Sequence, residues 1–155
     1  MNSGASLRTD LLATVSDAIQ AVRPPLPIVD ATETGSFDDA VVEMADGYVL
    51  WRIIRERSVL ALVAAPDFDR SVWYDSDLLM RLLREETMRP AAIPPSIDLL
   101  MTGHSLQDLI HDLEELRSAV GVAFVESTWT ATRQRLQDLR RRRDEELFGR
   151  RGSGE

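Results

Sequence analysis

The chain contains no cysteine, which excludes disulfides, thiolate nucleophiles and Cys-based zinc sites together. It contains no lysine either, because all 18 basic residues are arginine. Schiff-base catalysis and the lysine of a phosphate-binding P-loop are thereby excluded. Histidine occurs only twice, at His104 and His111. No uninterrupted apolar run approaches the ~18 residues needed to span a bilayer. The opening MNSGASLRTDLL lacks a basic start followed by an apolar stretch, so no secretory signal is expected. The expected setting is the cytoplasm, without a cofactor or metal.

What is present is ordinary for a globular chain: 155 residues, 44% hydrophobic and 28% charged. That length predicts one domain, residues 1–148, followed by a flexible tail, 149–155. The charge is uneven. Residues 1–132 carry 10 Arg against 21 acids, whereas residues 133–155 carry 8 Arg against 5, within a net charge of −8. An acidic body disfavours nonspecific binding to phosphate backbones and favours basic protein partners.

In residues 6–23, Leu7, Leu11, Val15, Ala18, Ile19 and Val22 form one helical stripe. Pro24, Pro25 and Pro27 stop it and begin an extended connection, and DATETGSFDD reads as a loop. The period then changes. VVEM, YVLWRIIRE and VLALVAA predict two or three strands, with Asp46-Gly47 as a hairpin turn. Val59 to Ala65, apolar on both faces, is the expected central strand. Arg52, Arg55 and Arg57 are expected on an exposed face. RSVWY offers one more short strand before a helix capped by Asp75 or Ser76, with Asp77 in its first turn.

Pro90, Pro94 and Pro95 mark a second break. SIDLLMT reads as a short helix closed by Gly103, and Ser105 to about Ser118 as an amphipathic one. Gly121 then separates a long last helix that ends near Phe148, with Gly149 as its C-cap. The expected fold is α+β: a small antiparallel sheet of two to four strands, about residues 40–75. An N-terminal helix and a C-terminal helical segment pack it.

Three patterns imitate catalytic or metal chemistry. Gly103-His104-Ser105-Leu106-Gln107 begins like a nucleophile elbow but lacks its last glycine, and Ser105 with Asp108 is better read as a capping box. His104, Asp108, His111 and Glu115 share one helical stripe, the solvated face opposite Leu109 and Leu113. Asp67, Asp69, Asp75 and Asp77 form two Asp-x-Asp pairs without a phosphate-cradling loop. None makes an enzyme the preferred reading.

Two binding surfaces are expected instead. Asp67, Asp69, Asp75 and Asp77 flank Trp73 and Tyr74, an acidic aromatic cluster suited to a basic protein partner. The alternative for that segment is Trp73 in the core with Tyr74 reaching out beside it. In the last helix Val122, Val125, Trp129, Thr132, Leu136 and Leu139 follow coiled-coil spacing; the next members, Arg143 and Glu146, end the apolar seam. Intramolecular packing is its default, and homodimerisation through Val125, Trp129, Leu136 and Leu139 the second choice. The run Arg140 to Arg143 is expected to be a solvated helix extension. Arg140, Arg141 and Arg142 each meet an acid four residues on, and Asp138 meets Arg142. The preferred function is a non-enzymatic cytoplasmic protein-binding module of adaptor, chaperone-like or immunity type. The alternative is a regulator touching nucleic acid through Arg133, Arg135 and Arg140 to Arg143.

Overall fold

Apolar spacing and turn chemistry account for most of the architecture. The structure, a computed structural model, describes residues 3–33, 39–57, 59–87 and 105–148. The short helix at 96–102 with Gly103, the break at Pro90 to Pro95, the Gly149 cap and the tail lie outside the described residues.

Helix α1 spans Ser3–Ile19. Leu11, Val15 and Ile19 recur every four residues and are buried, and Val22 and Leu26 extend the same packing into the connection. Five strands follow: β1 Ile28–Glu33, β2 Ala40–Asp46, β3 Val49–Glu56, β4 Val59–Pro66 and β5 Tyr74–Asp75. They pair antiparallel in the order β1-β2-β3-β4-β5. The sheet is therefore one strand larger than the expected maximum and begins before residue 40.

The additional strand is β1, part of what the sequence led us to assign to a connection and loop. Only Ile28 is half-buried, and residues 29 to 32 are exposed. An edge strand needs pairing on one side only, so its IVDATE sequence shows little of the alternation that marks a half-buried strand. The centre of the sheet is β3 rather than β4. Apolar residues on both faces of β4 reflect a half-buried outer face, not a central position.

Local signals held where the physics is local. Asp46 pairs with Val49 around Gly47 and Tyr48. Gly47 has φ +62 and Tyr48 does not share that region, which fits a type II′ turn with glycine first. Helix α2, Ser76–Thr87, is capped by Asp75, whose Oδ2 accepts the Leu78 N–H at 3.3 Å. Helix α3, Leu106–Ala123, is capped by Ser105 Oγ, which accepts the Asp108 N–H at 3.1 Å.

Gly121 does not divide the C-terminal segment. α3 runs through it because Val120 and Ala123 continue the buried stripe, which offsets the ~1 kcal/mol that an interior glycine costs. The break comes at Phe124 and Val125, before a 3-10 turn, Glu126–Thr128, and helix α4, Trp129–Phe148. One core unites α1, α2, α3 and α4 with a single face of the sheet, around Trp51, Tyr74, Phe124 and Leu113. No described helix is long and apolar enough to cross a membrane.

Candidate partner-binding site

Pro66 ends β4, and a tight connection carries the chain to β5. The Asp67 N–H donates to the Tyr48 carbonyl at 2.8 Å, and the Asp69 N–H to the Pro66 carbonyl at 3.1 Å. Phe68 is thus held beside the β2–β3 turn. Asp69 faces inward. Its Oδ1 accepts the Ser71 hydroxyl at 2.6 Å and the Ser71 N–H at 3.2 Å, and its Oδ2 accepts the Trp129 indole N–H at 2.8 Å. Arg133 lies 3.6 Å away. The Ser71 hydroxyl first, then Trp129 and the Ser71 N–H, lower the Asp69 pKa to about 2 against a smaller desolvation effect.

The second acidic pair is also occupied. Arg143 Nη1 donates to Asp75 at 2.6 Å and to Asp77 at 3.2 Å. Asp77 also accepts from Arg81 Nε at 3.2 Å, and Arg81 reaches Glu146 at 3.0 Å. Burial alone would lower the pKa of Arg143; the hydrogen bonds and charges of Asp75 and Asp77 outweigh it and hold the group above its ordinary value. Three of the six predicted residues, Asp69, Asp75 and Asp77, therefore face arginines of the last helix.

The aromatic pair is arranged opposite to the alternative considered for it. Tyr74 is fully buried, and its hydroxyl has no hydrogen-bond partner of good geometry. Burial raises its pKa, opposed by the charges of Arg133 and Arg140. The Arg140 guanidinium stands 5.2 Å from the Tyr74 ring centre and donates to the Trp73 carbonyl at 3.3 Å. Trp73 is half-exposed on the other side of the sheet, with the Arg52 guanidinium 3.9 Å over its ring.

The arginine run divides accordingly. Arg140 and Arg143 turn inward, Arg141 pairs with Asp138 at 3.0 Å, and Arg142 is exposed. Glu146, expected to pair with Arg142, pairs with Arg81 instead. Arg135 lies 3.7 Å from Glu85. Trp129, Thr132, Leu136 and Leu139 are buried in the chain's own core, Val125 is half-buried, and Val122 is exposed on α3. The heptad seam does not stop at Leu139. It continues through Arg143 and Glu146 as ion pairs to Asp75, Asp77 and Arg81.

What remains open lies at the end of the sheet. Asp67 is exposed, and beside it stand Phe68, 37% exposed, and Tyr48, 71% exposed. Phe68 packs edge-on to Trp129 at 6.2 Å, and Trp129 packs edge-on to Phe124 at 5.0 Å. Val122, 75% exposed, lies two residues before Phe124. Sequence reasoning passed over Tyr48 and Phe68; the only local signal was an aromatic residue directly after Asp46-Gly47.

Other candidates hold less. Ser105 is an exposed cap, Asp108, His111 and Glu115 are exposed along α3, and His104 lies outside the described residues. A cleft of about 400 Å³ is lined by Arg23, Pro24, Asp46, Glu114, Arg117 and Ser118. Both its arginines are already committed: Arg23 donates to the Val22 carbonyl at 2.9 Å, and Arg117 is bidentate on Asp46 at 2.9 and 3.0 Å and donates to the Pro24 carbonyl at 2.7 Å. That clamp fixes α3 to the hairpin end and to the α1–β1 connection. Comparison with protein-family models, curated proteins and solved structures finds no match to this chain.

Proposed function

We propose that this chain is a non-enzymatic cytoplasmic protein-binding module of adaptor, chaperone-like or immunity type, taking a basic partner on an acidic aromatic surface. The observation that carries this reading is the grouping of Tyr48, Asp67 and Phe68 at one end of the sheet, joined by the Asp67 N–H to Tyr48 carbonyl bond of 2.8 Å. Exposed aromatics beside an exposed carboxylate supply contact area at low entropic cost together with charge selectivity. Trp73, half-buried, adds a third aromatic farther along the segment. Asp69, Asp75, Asp77 and Tyr74 support the surface from inside, because arginines or the core already occupy them. A net charge of −8 steers basic partners toward the molecule and disfavours nucleic acid. Nucleic-acid contact through Arg133, Arg135 and Arg140 to Arg143 has less to stand on, since Arg133, Arg140 and Arg143 lie against Asp69, Trp73 and Asp75.

The test is affinity capture from native lysate, followed by reconstitution of the captured complex from purified components. Tyr48→Ala combined with Asp67→Arg, both at exposed positions, should weaken the binary complex at least about tenfold, with an association rate that falls as salt rises. A purified complex that binds this double variant as tightly as wild type contradicts the proposal. So does a captured species that is nucleic acid.

A further inference from the structure

The two edges of the sheet differ. β5 closes one with two residues that lead straight into α2. β1 closes the other, and its residues 29 to 32 are exposed. The direction of its main-chain groups follows from the register. Asp46 and Val49 close a two-residue turn, so Asp46, Met44, Val42 and Ala40 bond toward β3. Ala45, Glu43 and Val41 then bond toward the β1 side, in keeping with the Ala45 N–H to Pro27 carbonyl bond of 3.1 Å. Asp30 and Thr32, opposite Glu43 and Val41, spend their main-chain groups on β2. Ala31, opposite Val42, aims its N–H and C=O away from the sheet, and Glu33 repeats that direction two residues on. Among the described residues nothing bonds to the Ala31 main chain.

Open main-chain groups repeating every second residue, about 6.8 Å apart, are matched by another extended backbone. β1 carries neither a proline nor a basic residue to block such pairing, and its one bulge, at Val29, lies near its start. Charge decides which backbone fits. Residues 24–51 hold six acids, Asp30, Glu33, Asp38, Asp39, Glu43 and Asp46, and no basic residue. Arg52 takes Glu43, Arg117 takes Asp46, and Asp39 accepts the Arg57 N–H at 2.9 Å. Asp30 is exposed on the edge strand itself, and the nearest arginines of the sheet, Arg52 and Arg55, lie two strands away on β3. We propose that β1 accepts an extended basic segment of a partner protein as a sixth strand, drawn there by Asp30 and Glu33. A second copy does not suit this edge, because β1 on β1 brings Asp30 and Glu33 against their own kind. The same charges repel a phosphate backbone. The pairing uses none of Tyr48, Asp67 and Phe68, so it and the proposed function stand or fall separately.

The test is fluorescence anisotropy of a labelled octapeptide of alternating valine and lysine, titrated with the full chain. The peptide should bind, and its counterpart with glutamate for lysine should bind at least about tenfold more weakly. In wild type, the lysine peptide should also slow hydrogen exchange of the Ala31 amide. Ala31→Pro removes the outward N–H while leaving the ladder to β2 whole, and should weaken binding at least about tenfold. Asp30→Arg should do the same through charge alone. Far-UV circular dichroism identifies which variant is folded, and one folded variant decides. A lysine peptide that does not bind wild type, or leaves Ala31 exchange unchanged, overturns the proposal. So does a glutamate peptide that binds equally well, or a folded Ala31→Pro or Asp30→Arg chain that binds as tightly as wild type. Loss of binding in the Tyr48→Ala, Asp67→Arg double variant moves the contact to the other surface and overturns it too. Sedimentation velocity closes the remaining case: a wild-type dimer that Ala31→Pro dissociates puts a second copy on the edge and contradicts the proposal.

Discussion

Asp69 shows how one side chain can hold a connection in place. Its two oxygens take the Ser71 hydroxyl and N–H on one side and the Trp129 indole on the other, with Arg133 at 3.6 Å. Its folded pKa, about 2, lies below its ordinary value of 3.8. The sign follows directly: the stability it contributes is complete above about pH 4 and is lost as pH falls through about 2. Chemical denaturation from neutral pH to pH about 2 should therefore show wild type losing more stability than Asp69→Asn, so that the gap between them narrows with acid. A gap that stays constant would mean that the Asp69 charge does no stabilising there. Trp129 benefits twice from this contact, since its indole N–H is satisfied while its ring packs on Phe68, Tyr74 and Phe124.

At the scale of elements, α4 is fastened in two different ways. Its first half buries Trp129, Thr132, Leu136 and Leu139. Its second half carries no buried residue and reaches α2 and β5 through Arg140, Arg143 and Glu146. Salt screens partly exposed ion pairs but strengthens apolar burial slightly. Amide hydrogen exchange should therefore quicken with added salt across residues 140–148 while residues 129–139 keep their protection. Equal protection of both halves at every salt concentration would show that the ion pairs are not what holds the second half.

The same element marks the limit of what the sequence shows. Asp75, Ser105 and Asp46-Gly47 are legible because a cap or a turn needs only residues within three or four positions. The coiled-coil spacing of α4 is legible too, and it correctly places Leu136 and Leu139 together. That Arg143 continues the seam is not legible, because its carboxylates lie 66 and 68 positions away in sequence. Strand β1 escapes for a related reason: its identity comes from pairing with β2, not from its own side chains. For the predicted cluster, the sequence names the residues from Asp67 to Asp77, but which of them face outward depends on α4.

On the whole-molecule scale, two features that read as rival binding surfaces, the acidic run and the arginine run, become largely one internal interface. This leaves the net charge at −8 but moves the accessible chemistry to the Tyr48–Asp67–Phe68 end of the sheet. It also explains why an acidic chain keeps an arginine-rich helix: part of that charge balances Asp69, Asp75 and Asp77. The most direct measurement is a double-mutant cycle on folding stability, pairing Asp77→Asn with Arg143→Met. Arg141→Met, at an exposed position, serves as the control. The predicted coupling for Asp77 and Arg143 is about 1–3 kcal/mol, and that for Asp77 and Arg141 is within about 0.3 kcal/mol of zero. Additivity of the Asp77 and Arg143 substitutions would contradict the account, because the two charged runs would then lie side by side without holding each other.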